Sequence, residues 1–176
     1  MELNPIDKAK DLLQLLKEYY PLVKTKNDLG YDWLEEETDL CIEVLSTDNP
    51  IGKLYIVCED GGEFTLCFDA HAHYYSCEQE YQRMCSDLRD ILNNEMCSAN
   101  LYSKSDGTWY GGGFFSCASI ALPVREVFDF LWENPETAAR LQTSGYEVKY
   151  CFWDSKQNQT VETNPSASYH VSKYDP

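Results

Sequence analysis

Basic side chains are scarce in this chain: 14 Lys and Arg stand against 30 Asp and Glu, a formal net charge of −16 over 176 residues. Nucleic-acid binding rests on neutralising phosphates with such cations, so the imbalance excludes it as a role. Histidine is rarer still, with 3 residues, which leaves little imidazole for catalysis or metal binding. No run of 18 apolar residues occurs, and Met1-Glu2-Leu3-Asn4-Pro5 is acidic and cap-like rather than basic and then apolar. Neither a membrane span nor a cleaved secretion signal is expected, and a cytoplasmic location is. Phosphate-loop and Gly-x-Ser-x-Gly motifs are missing as well. Gly111-Gly112-Gly113 has no Lys-Ser/Thr and precedes no helix, so it reads as a bulge or kink between Trp109-Tyr110 and Phe114-Phe115. No cofactor is expected.

Eight cysteines, at 41, 58, 67, 77, 85, 97, 117 and 151, form no Cys-x-x-Cys pair and sit mostly inside apolar runs. They read as reduced thiols used as small hydrophobes, because disulfide frameworks belong to short secreted chains with poor cores. The Asn158-Gln159-Thr160 sequon is a coincidence in a chain without a secretory route.

What the sequence has in abundance is acid and aromatic surface. Aromatics make up 14% of the residues and hydrophobics 43%, enough for a sizeable core and too much for a disordered acidic chain. Between Asp28 and Glu63 eleven carboxylates face a single cation, Lys53, a local charge of −10. Tyr31, Trp33, Leu34, Ile42, Val44 and Ile56 thread through the same stretch, which places these charges on a folded scaffold.

Asn4-Pro5 opens an amphipathic helix that Pro21 stops. Three apolar runs, 40–45, 53–58 and 63–68, are separated by Asp48-Asn49-Pro50 and Asp60-Gly61-Gly62 and predict an antiparallel meander. Ser76 caps a helix whose stripe runs from Cys77 to Leu92. Asp106-Gly107 predicts a hairpin between 97–103 and 108–117. A helix follows from Pro123 to Trp132, with a further piece over 136–142, and 146–153 pairs with 160–163 as strands. Together these predict an α+β fold: a single domain over 1–163, a mainly antiparallel sheet of about five to seven strands with about three helices on one face, and a loosely ordered tail over 164–176.

Two candidate sites stand out. His71 and His73, two apart on a strand, share a face on which Asp69 would be a third group, a weak metal-site pattern. Its plainer reading is a pair of strand-end residues that support Tyr74 and Tyr75. The second candidate is Tyr31-Asp32-Trp33-Leu34-Glu35-Glu36-Glu37 with Asp39. There the aromatics suit rigid anchors, and the acids suit steering and pairing with a basic protein partner such as a secreted toxin or nuclease domain. The plainer reading of that segment is a solvated acidic loop.

The layout, and the segment Phe64-Thr-Leu-Cys-Phe-Asp-Ala-His-Ala-His73 followed by the Cys77–Asn93 helix, resembles small acidic immunity proteins of bacterial toxin systems. The resemblance implies a non-enzymatic protein that occludes a cognate toxin, and it carries over no binding residue. Against it stand a metal-dependent enzyme built on His71, His73 and Asp69, and a cytoplasmic adaptor.

Overall fold

The computed structural model describes residues 4–48, 52–164 and 167–173. The chain divides into two compact units, residues 1–90 and 91–176, each an antiparallel five-stranded sheet with helices. The α+β class expected from the sequence is observed, with the strands shared between two sheets.

In the first unit Asn4 caps α1 (Pro5–Leu15) as the sequence predicts. Its Oδ1 accepts from the Ile6 and Asp7 amides at 3.0 and 3.2 Å, and Pro5 takes the first turn, where no amide is needed. A 3-10 turn, Lys17–Tyr19, ends at Tyr20 with φ 52°. The strands are β1 (Leu22–Lys24), β2 (Leu40–Leu45), β3 (Lys53–Cys58), β4 (Phe64–Phe68) and β5 (His71–Tyr75), paired in chain order. β1 has only three residues, too few to show an alternation, and the sequence does not announce it. Of the expected Asp48-Asn49-Pro50 turn, residues 49–51 lie outside the described residues. α2 (Glu78–Leu92) follows, and Glu80 Oε2 reaches back to accept from the Ser76 amide at 2.7 Å and its hydroxyl at 3.0 Å.

Both faces of this sheet are covered in part. Ile42, Val44, Leu54, Ile56, Phe64, Leu66 and Phe68 are fully buried beneath α1 and α2, with the Phe64 and Tyr81 rings 5.2 Å apart and the Tyr75 hydroxyl donating to Asp87 Oδ2 at 2.8 Å. Strand register puts Cys41, Glu43, Tyr55, Val57, Thr65, Cys67, Ala72 and Tyr74 on the opposite face. There Leu34, from the loop before β2, buries against Cys41 and Val57 beside Tyr31 and Tyr55.

The second unit holds β6 (Met96–Ser103), β7 (Trp109–Ser116), β8 (Tyr146–Cys151), β9 (Gln159–Asn164) and β10 (Ala167–Lys173), in the order β10-β9-β8-β6-β7. The β6–β7 hairpin turns at Gly107, φ 70°, with Asp106 Oδ1 accepting from the Thr108 amide at 3.1 Å. The register shifts between Leu101 and Tyr102, the irregularity expected beside the glycines. Gly112 has no room for a Cβ, which would run into the Asn100 side chain and the Ala99 carbonyl.

Two sequence expectations change here. The helix foreseen from Pro123 to Trp132 is two short pieces, α3 (Val124–Val127) and α4 (Asp129–Trp132), because Phe128 leaves helical geometry at φ −115°, ψ 37°. That break lets Val124, Val127, Phe128 and Leu131 all enter one core with Ala99, Leu101, Val148 and Tyr150. α5 (Pro135–Ser144) then starts on an Asn134 cap. The tail expected to be loose over 164–176 instead supplies β10 over 167–173, which pairs antiparallel with β9 and so meets backbone groups that an edge strand would leave open. Asn158, of the sequon, is 1% exposed, and its Oδ1 accepts from the Phe152 amide at 2.7 Å.

Candidate functional site

The loop between β1 and β2, residues 25–39, is irregular in backbone yet tied down at both ends. Asp28 Oδ2 accepts from the Thr25 amide at 2.8 Å and the Thr25 hydroxyl at 3.0 Å, which hold its carboxyl below the usual range. Asp39 is 3% exposed, and its two oxygens accept from the Glu36 amide at 2.9 Å and the Asp60 amide at 3.0 Å, joining the loop to the β3–β4 turn. Thr38 Oγ1 donates to Asp60 Oδ2 at 2.9 Å, and Lys26 Nζ donates to the Glu35 carbonyl at 2.7 Å. In the middle, the Tyr31 hydroxyl donates to Glu43 Oε2 at 2.7 Å. Glu43 is 6% exposed on β2, and burial followed by this carboxylate pushes the Tyr31 phenol well up.

These ties leave an open groove of about 660 Å³ between the loop and the outer face of β3–β5. Leu29, Tyr31 and Trp33 form the loop wall, Tyr55, Val57, Thr65 and Cys67 the floor, and Ala72 and Tyr74 the far side. Lys53 and Glu59 stand at its ends. Six residue rises separate them along the extended backbone, about 20 Å. Its size and largely apolar, aromatic lining suit an organic ligand or the side chains of a partner. Burial, then the charges of Glu63, Asp39 and Glu35, raise the Glu59 carboxyl.

The structure separates the acidic candidates into two kinds. Asp32, Trp33, Glu35, Glu36 and Glu37 are exposed, and the Trp33 ring lies 6.0 Å from that of Tyr31. Tyr31 and Asp39 point inward and serve the fold through the bonds above. Tyr55, Thr65, Glu59 and Tyr74 were not singled out as site residues by sequence reasoning. One signal was there to find them: β3 reads Lys-Leu-Tyr-Ile-Val-Cys, apolar on both sides of the alternation, so its outer face needed a cover as much as its inner one.

The histidine candidates are only partly brought together. His71 and His73 do share a face of β5, paired with Phe68 and Leu66, and both are half-buried on the helix-covered side. Burial, then His73, lowers the His71 imidazole, and the His73 ring packs 4.7 Å from that of Tyr75. Asp69 leaves their alternation, because it occupies the β4–β5 turn at φ 55°. Among the described residues no three His, Cys, Asp or Glu side chains are grouped to hold a metal ion, and no helix is long and apolar enough to cross a membrane.

Comparison with known proteins finds no matching family model, no matching curated protein and no matching solved structure.

Proposed function

We propose that the chain is a non-enzymatic protein-binding module of the immunity-protein kind, which neutralises a cognate bacterial toxin by covering a basic surface of it. The observation that carries this reading is the loop of residues 25–39. It holds Asp32, Glu35, Glu36 and Glu37 exposed around an exposed Trp33, while Tyr31, Leu34 and Asp39 fasten it to the sheet. A loop ordered in advance loses less freedom on binding. Its carboxylates steer a basic partner and speed encounter, and Trp33 offers a large, stiff side chain for the centre of a contact. The resemblance to acidic immunity proteins adds the class of partner.

The test uses a toxin-like protein encoded next to this chain. Co-expression of the two should restore growth, and the purified pair should associate with a rate that falls steeply as salt is added. Reversing Glu35, Glu36 and Glu37 to Lys should slow association by about tenfold or more and flatten the salt dependence, since rim charges act chiefly on the on-rate. Failure to restore growth would remove the immunity reading. An unchanged association rate would remove the acidic loop from it.

A further inference from the structure

The groove under the acidic loop is lined by a carboxylate, Glu59, that no cation among the described residues answers. Thr65 is 6% exposed and lines the groove, and its Oγ1 has no hydrogen-bond partner among the described residues. In the β3–β4 register Thr65 stands opposite Val57, which makes Glu59 its diagonal neighbour, about 7–8 Å away. Among the described residues no cation pairs with Glu59, although the carboxylates of Glu63, Asp39 and Glu35 add to its field.

Aromatic rings line the space beside these two groups: Tyr31 and Trp33 on the loop, Tyr55 on the floor and Tyr74 opposite. One of them already carries a cation, since the Lys24 ammonium lies 5.8 Å from the Tyr31 ring centroid. An occupant that meets these demands has an apolar stem for the rings and a cationic head for Glu59. Arginine fits better than lysine, because its flat guanidinium stacks on rings and presents five donors in a fixed fork.

We propose that this groove receives an arginine side chain from an extended segment of the protein partner, with its guanidinium at Glu59 and its stem against Trp33 and Tyr74. The assignment rests on the reading of the chain as the binder of a basic protein, and names the side chain that anchors it. The acidic loop then acts at long range and governs the rate of encounter. The groove acts at contact and governs how long the complex lasts.

The probe is the blocked peptide Gly-Leu-Arg-Leu-Gly, titrated into the labelled protein with amide and indole shifts followed by NMR. Its counterpart carries citrulline, which has the shape of arginine without the charge. The arginine peptide should shift the Trp33 indole and the amides of 55–59 and 65–67, and the citrulline peptide should bind about tenfold more weakly. Glu59→Gln and Tyr74→Ala should each weaken the arginine peptide about threefold or more. Tyr74 is 65% exposed, so its truncation leaves the fold intact. Equal binding of the two peptides would overturn the proposal and mark an apolar ligand site, and shifts mapping elsewhere would overturn it too. Loss of arginine recognition beside intact, loop-dependent association with a toxin would remove the groove assignment alone. Arginine recognition by a chain that protects against no toxin would uphold the groove and remove the immunity reading.

Discussion

The Tyr31 hydroxyl donates to the Glu43 carboxylate across 2.7 Å, and this bond, with Leu34 packed on Cys41, ties the acidic loop to the second strand of the sheet. Glu43 is 6% exposed, in a position where a strand residue must be apolar or partnered. Tyr31 is its partner, and in return the tyrosine ring is held upright as a wall of the groove.

Removing that hydroxyl therefore acts on both. Tyr31→Phe leaves a buried carboxylate without its donor, which costs about 1–3 kcal/mol, at about 2–4 °C of Tm per kcal/mol for a chain of this length. The loop should also become more open to protease cleavage within residues 25–39, because its central tie is lost. Calorimetry and limited proteolysis check both effects. An unchanged Tm with unchanged cleavage would show that the bond does not hold the loop.

Asp39 separates structure from recognition within the same acidic run. Its two oxygens accept from the Glu36 and Asp60 amides, so Asp39→Ala orphans two backbone donors and should cost about 1–3 kcal/mol. Glu36→Ala and Glu37→Ala, on exposed side chains, should change stability by less than about 0.5 kcal/mol. Urea midpoints of the three variants decide the matter, and equal losses would mean that the run is a uniform charged surface.

Much of the fold is legible in the sequence because its signals are local. Asn4-Pro5, Asp60-Gly61-Gly62 and Asp106-Gly107 each mark an element boundary through the backbone geometry they favour, and the observed elements begin or end there. What was hidden depends on distant residues. Three-residue β1 takes its shape from pairing with β2, and β10 from pairing with β9. Phe128 breaks its helix because the core beneath α3 and α4 accepts more side chains that way. For the candidate site, Trp33 and the acids on either side of it were visible from composition. That Thr65, Glu59 and Tyr74 meet was not, because only strand register brings them together. Asp69 was misplaced by extending an alternation through a turn, which the left-handed φ of that residue interrupts.

The eight thiols should differ sharply in reactivity. Cys77 is exposed, whereas Cys41, Cys58, Cys85, Cys97 and Cys151 are buried. Burial pushes the Cys41 and Cys58 thiols up to about 12, which leaves almost no thiolate in neutral solution. A thiol reagent should then modify one cysteine quickly, and Cys77→Ser should abolish that fast phase. Cys67, half-buried in the groove floor, should follow more slowly and be protected by any occupant of the groove. A fast equivalent in Cys77→Ser that maps to Cys41, Cys58, Cys85, Cys97 or Cys151 would contradict their burial.

Glu59 sets stability against binding, and pH tells the two apart. Burial, then Glu63, Asp39 and Glu35, raises its carboxyl above the ordinary glutamate value, so the folded chain holds that proton more tightly than the unfolded chain does. The ionised form therefore weighs against folding at neutral pH, and stability from this group recovers as the pH falls from the raised value to the ordinary one. Glu59→Gln keeps the shape and removes the charge. It should raise the urea midpoint at pH 7, and the gap from the wild type should close below about pH 4, as Glu59 becomes protonated in the folded and unfolded chain alike. The same variant should lose affinity for the arginine peptide at pH 7, so the carboxylate destabilises the free protein while serving the occupied one. A Glu59→Gln protein that is less stable at pH 7, or whose advantage persists unchanged into acid, would show that Glu59 is not held under charge strain and would take away the reason for a cation at that end of the groove.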